Sequence, residues 1–166
     1  MENIDEFFET VSWHNEFNQS AFKFCICFSR FEYALKRAGY VFTPRNSTIA
    51  HASINDFISE IDGLIDINDD SIKAQVDYIF NNPPNTLHSV EGRLHWIPIT
   101  PQSKSIEFLL LCMRTTRNNL FHGNKQLPGN GLDRNQRLIH AFLPIIDKFL
   151  EVNDQVRSYY LETLEE

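Results

Sequence analysis

Ile106-Glu-Phe-Leu-Leu-Leu-Cys-Met113-Arg114-Thr-Thr-Arg117-Asn118-Asn119-Leu120-Phe121-His122-Gly123 is the stretch on which the fold and the chemistry both turn. Phe108–Met113 is apolar on every side, which predicts a helix buried all round, in a bundle and against a second subunit or under the long segment that precedes it. The helix is expected to span about 101–122, opened by Thr100-Pro101 and closed by Gly123 at a C′ position. On a helical wheel Arg114, Asn118 and His122 stand at i, i+4 and i+8, with Arg117 beside them. An arginine steadies an anionic phosphate and a histidine moves protons near neutral pH, so the stripe suits phosphodiester chemistry.

Arginine followed at short range by histidine is common in a chain with nine arginines and six histidines, and two further matches occur. Arg45-Asn46 precedes His51 in a segment that Pro44 keeps from being helical. Arg134-Asn135 precedes His140, which is expected to be a half-buried helix histidine. Only Arg117–His122 combines an apolar helix before it, a second arginine and a glycine after it, so the other two read as decoys.

The run Arg117-Asn118-x-x-x-His122 resembles the signature of the HEPN superfamily, an arginine, a polar residue and a histidine four to six positions on. Phe-Ser-Arg-Phe-Glu-Tyr-Ala-Leu-Lys-Arg-Ala-Gly-Tyr, residues 28–40, resembles the first core helix of HEPN proteins from bacterial defence and toxin systems. The middle of the chain has no counterpart in that resemblance. It implies an all-α HEPN-like bundle that dimerises, with both motifs meeting at the interface, and metal-independent RNA cleavage by 2′-hydroxyl transesterification without a cofactor. Arg117, His122 and Asn118 would be the catalytic residues, with Arg114 and Lys125 holding the RNA backbone. The implied partners are RNA, a second copy of the chain, and an antitoxin or defence-system protein. HEPN toxins controlled by nucleotidyltransferase antitoxins carry a tyrosine two residues after the motif histidine, and here that place is Asn124.

Composition suits one all-α domain over residues 1–166, with 42% hydrophobic residues and fourteen phenylalanines to fill a core. No apolar run approaches the roughly 20 residues of a membrane span. The acidic start lacks the basic region of a signal peptide, and Cys25, Cys27 and Cys112 read as reduced thiols, so a cytoplasmic protein is expected. The net charge of −7 argues against indiscriminate nucleic-acid binding. Yet Arg114, Arg117 and Lys125 fall in a stretch without an acid, a local basic notch. His88 and His95 lack companions for a metal site.

Elsewhere the pattern predicts helices at 2–11, 16–38, 54–67, 70–80 and 134–162. Phe17, Ala21, Phe24, Phe28, Phe31 and Leu35 form the core stripe of the second, which Gly39 stops. Ser53 and Asp133 are expected caps, and Pro144 is expected to kink the last helix near His140. Residues 40–52 and 83–103 read as irregular, with Trp96 and Ile97 pinning the second of these onto the bundle. Tyr159 and Tyr160 fit core packing better than base stacking. Two other functions stay open: a non-catalytic HEPN module that binds nucleotide, RNA or a partner at the same notch, and a structural helical domain whose arginines pair with carboxylates such as Glu32.

Overall fold

The computed structural model describes residues 16–101, 103–121 and 132–162. The expected helix at 2–11, His122, Gly123, Lys125 and the loop at 126–131 lie outside the described residues. The fold is of the all-α class: six helices among the described residues, with two small antiparallel ladders between them. The order is α1 (Glu16–Arg37), β1 (Val41–Phe42), β2 (His51–Ala52), α2 (Ile54–Ile61), α3 (Lys73–Asn81), β3 (Asn85–Val90), β4 (Arg93–Pro98), α4 (Ile106–Phe121), α5 (Leu132–Glu151) and α6 (Asp154–Leu161).

The α1 stripe is the spine of the core. Phe24, Phe28, Phe31 and Leu35 are fully buried, and Phe24 stacks on Phe142 of α5 at 5.7 Å between ring centroids. Phe31 meets Phe57 of α2 edge-on at 5.5 Å and Phe149 of α5 at 6.1 Å. Each such ring removes enough apolar surface from water to contribute about 2–3 kcal/mol, so the helices are held by α1 more than by their own propensity. α1 stops as its glycine requires. Gly39 has a φ of +95°, and the Tyr40 and Gly39 amides donate to the carbonyls of Leu35 and Lys36. Tyr40 and Leu35, the apolar pair that accompanies such a stop, are both buried.

Between 40 and 52 the chain is not irregular throughout. Val41 pairs with Ala52 and Phe42 with His51, and the Ser53 amide donates to the Tyr40 carbonyl at 2.8 Å. Ser53 occupies the N-cap position of α2, but its hydroxyl makes no cap hydrogen bond. α2 ends at Ile61 rather than 67, and Gly63 takes a φ of +79° just beyond.

The larger departure is at 83–103. The expected irregular segment is a hairpin in which Asn85–Val90 pairs in register with Arg93–Pro98. Glu91 and Gly92 turn it with φ of +51° and +75°, both positive as a two-residue primed turn demands. Trp96 and Ile97 do not pin it down, being 41% and 42% exposed. The hairpin is anchored at its base: the buried Asn119 side chain donates to the Asn85 carbonyl at 2.8 Å, and the Ile99 amide donates to the Pro84 carbonyl at 3.1 Å.

α4 begins at Ile106, five residues later than expected from Pro101. Phe108, Leu109, Leu110, Cys112 and Met113 are buried within this one chain, leaving Leu111 at 47% exposure. The molecule's own core thus takes up this stretch apart from Leu111. The last segment is two helices. α5 runs through Pro144 to Glu151, and the interruption falls at Val152–Asn153, where the Asn153 side chain accepts from the Val156 amide at 2.9 Å. Asp133 sits in the first turn of α5 rather than capping it. No helix among the described residues is long and apolar enough to cross a membrane.

Candidate functional site: a cationic cleft between α1, α4 and β2

Two helical stripes face each other across a cleft of about 270 Å³. From α1 come Phe28, Glu32 and Lys36, four residues apart and so on one face. From α4 come Arg114, Arg117 and Asn118, the face that the wheel placed together. The third side is Ala50, His51 and Ala52, at and just before β2.

Arg117 is the most constrained of these groups. Its Nη2 donates to Glu32 Oε2 at 3.1 Å, and its Nη1 donates to Asn118 Oδ1 at 2.9 Å. Its guanidinium carbon lies 5.8 Å from the Phe28 ring centroid. Both members of the Arg117–Glu32 pair keep about a quarter of their side-chain surface in solvent, 28% and 27%. The guanidinium is thus held by Glu32, Asn118 and Phe28 before any ligand arrives. The pairing with Glu32 is the carboxylate contact expected under the structural reading of the motif, and it is present. Asn118 accepts from Arg117 and so helps to orient the guanidinium, while His122 lies outside the described residues. Arg114 is exposed at the cleft wall.

Two sequence expectations change here, and one cleft residue is new. His51 was set aside as a decoy because of the loop around it, yet β2 brings it into the same cleft as Arg114 and Arg117. Lys36 was not singled out, and it stands one turn beyond Glu32 on the same wall. His140 is exposed rather than half-buried, and its Nε2 lies 2.8 Å from Ser20 Oγ, a contact between α5 and α1 outside the cleft. The arginine of that second decoy is structural: Arg134 Nη2 donates to the Pro83 carbonyl, fastening α5 to the end of α3.

None of the three cysteines lines the cleft. Cys25, Cys27 and Cys112 are free. Burial pushes the Cys112 thiol up to about 12 and Cys25 to about 11, the latter against the pull of Arg117, so neither is a thiolate near neutral pH. Tyr159 and Tyr160 pack against the core, and burial followed by a hydrogen bond with Cys27 raises the Tyr160 phenol well above its usual range. His88 and His95 face each other across β3 and β4, and no group of three or more metal-ligating side chains gathers among the described residues.

The cleft therefore holds three cations, Lys36, Arg114 and Arg117, against one carboxylate, Glu32, in a chain of net charge −7. Such a site suits an oxyanion with more than one acceptor, as a phosphodiester has. The chain matches no protein-family model, no curated protein and no solved structure.

Proposed function

We propose that the cleft is the substrate site of a metal-independent endoribonuclease of HEPN type, acting in the cytoplasm. The observation that carries this reading is the convergence of Arg114, Arg117 and Asn118 with Lys36 and His51 on one small cleft, in an otherwise acidic protein. A structural ion pair alone has no use for two further cations and an imidazole beside it.

In this mechanism an RNA 2′-hydroxyl attacks the adjacent phosphorus, the new O2′–P bond forms, and the P–O5′ bond breaks. The products are a 2′,3′-cyclic phosphate and a free 5′-hydroxyl. His122 takes the 2′-hydroxyl proton or gives one to the departing 5′-oxygen. Arg117, already aimed by Glu32 and Asn118, stabilises charge on the phosphoryl oxygens. Arg114 and Lys125 hold the flanking backbone. One histidine cannot be acid and base in a single step, so a second copy related by a two-fold axis supplies the other group. An antitoxin or defence-system partner would hold such an activity in check.

The second reading is a non-catalytic HEPN module that binds RNA, a nucleotide or a partner at the same cleft. It is favoured by the Arg117–Glu32 pair, which a phosphate must share or displace. One experiment separates them. Purified protein is incubated with RNA in EDTA and the ends are analysed. Cleavage that leaves 2′,3′-cyclic ends, is lost in His122→Ala and is blocked by a 2′-methoxy group at the cut site supports the enzyme. Intact RNA under all conditions supports the binding module, and strict dependence on a divalent ion sinks the mechanism.

A further inference from the structure

We propose that Phe42 and His51 form a nucleobase platform at the mouth of this cleft, so that its ligand is single-stranded RNA with one base on the rings and the phosphate on the arginines. The inference rests on the phosphodiester reading of the cleft, and it adds which form of RNA the site accepts.

The argument starts from an oddity. Phe42 is a large apolar ring left 48% exposed, on a ladder of two residues per strand. It is not isolated. Its cross-strand neighbour is His51, and the two rings stack with centroids 5.3 Å apart and planes 26° from parallel. His51 in turn lines the cleft with Lys36, Arg114 and Arg117. A continuous aromatic surface thus begins outside the cleft and ends among its cations.

Charge alone would draw any polyanion, duplex or single strand, because phosphate neutralisation carries no information about the bases. An exposed ring pair adds a demand for an unstacked base. Bases in a duplex are already covered on both faces, whereas those of a single strand gain by covering an aromatic side chain. Every base has a π-face, so the platform selects strandedness rather than sequence. The ladder fixes His51 and Phe42 relative to α1, since Ser53 and Tyr40 close it onto the stop of that helix.

The test is equilibrium binding in EDTA of a short fluorescent RNA carrying 2′-methoxy groups throughout, as a single strand and in a duplex of the same sequence. Wild-type protein is expected to prefer the single strand by about tenfold. Phe42→Ala should lower single-strand affinity by about tenfold and leave duplex affinity unchanged, while Phe42→Trp retains it. Phe42 is exposed, so unchanged helical circular dichroism in these variants is expected and is measured alongside. Equal single-strand binding by wild type and Phe42→Ala, or a wild-type preference for duplex, overturns the platform. Phe42-dependent binding by a protein that never cuts unmodified RNA leaves the platform standing and removes the nuclease. Cleavage that Phe42→Ala leaves untouched does the reverse.

Discussion

At the scale of single residues, Arg117 shows how a motif side chain answers to two demands. Glu32 holds it for the fold, and in the proposed mechanism a phosphate shares that guanidinium. Replacing Arg117 by Ala should cost cleavage several kcal/mol, on the order of a hundredfold or more, as loss of a charge-stabilising donor does. It should also raise the Cys25 thiol further, because the arginine is what opposes burial there; thiol titration of the variant checks this. Arg114→Ala should mainly weaken binding and reduce the slope of log affinity against log salt by about one, the signature of a lost phosphate contact. Thr116 offers a test of stability instead. It is 2% exposed and its hydroxyl has no partner among the described residues. Thr116→Val removes that burden at constant shape and should stabilise the protein by about 1 kcal/mol, a rise of roughly 2–4 °C in Tm by calorimetry.

At the scale of elements, α4 decides what its own apolar face is for. Leu110 is 1% exposed within the single chain, whereas Leu111, its neighbour, is 47% exposed. Leu110→Ala should cost about 2–5 kcal/mol and Leu110→Glu should prevent folding, both through the core rather than through assembly. Leu111→Glu should change stability by less than about 0.5 kcal/mol. Denaturant unfolding separates the three, and a Leu110→Glu protein as stable as wild type would contradict this burial. The α5–α6 junction has its own lesson. Asn153 caps α6 and also donates to Tyr40 and Glu60, so it ties the corner to the stop of α1 and to α2. The sequence carries a cap signal there, an asparagine followed by an aspartate, but the apolar period runs on across it, and Pro144 stays inside α5.

At the scale of the whole molecule, one contribution to stability in acid comes from Asp69, which joins the segment before α3 to α5. Hydrogen bonds from the Ser71 hydroxyl and amide, then from Lys148, hold its carboxyl down to about 2 from an ordinary 3.8. A carboxyl lowered on folding contributes stability above its unfolded value and loses it as pH falls through the folded one. The contribution of Asp69 is thus complete above about pH 4 and gone near pH 2. Asp69→Asn should flatten the pH dependence of Tm across that window. Assembly belongs to this scale too. The proposed composite site needs two copies, and sedimentation at micromolar concentration should show a dimer. A monomer that still cuts RNA would place both proton-transfer groups on one chain.

What could be read from the residues was whatever short-range geometry controls. A three-and-four spacing of phenylalanines puts one face of α1 in the core whatever surrounds it, and Gly39 stops that helix because a φ of +95° suits only glycine well. The same geometry puts Arg114, Arg117 and Asn118 on one face of α4, and all three line the cleft. The rest depended on contacts between distant residues. The β3–β4 hairpin is harder to read because Arg93-Leu94-His95-Trp96 alternates over only four residues and both faces of β4 are exposed, and it is held by its turn and by Asn119. His51 looked like a decoy because its neighbours in the chain form a loop. Its place beside Arg114 and Arg117 comes from α1 and α4, which only the pairing of β2 with β1 and the packing of both helices bring to it.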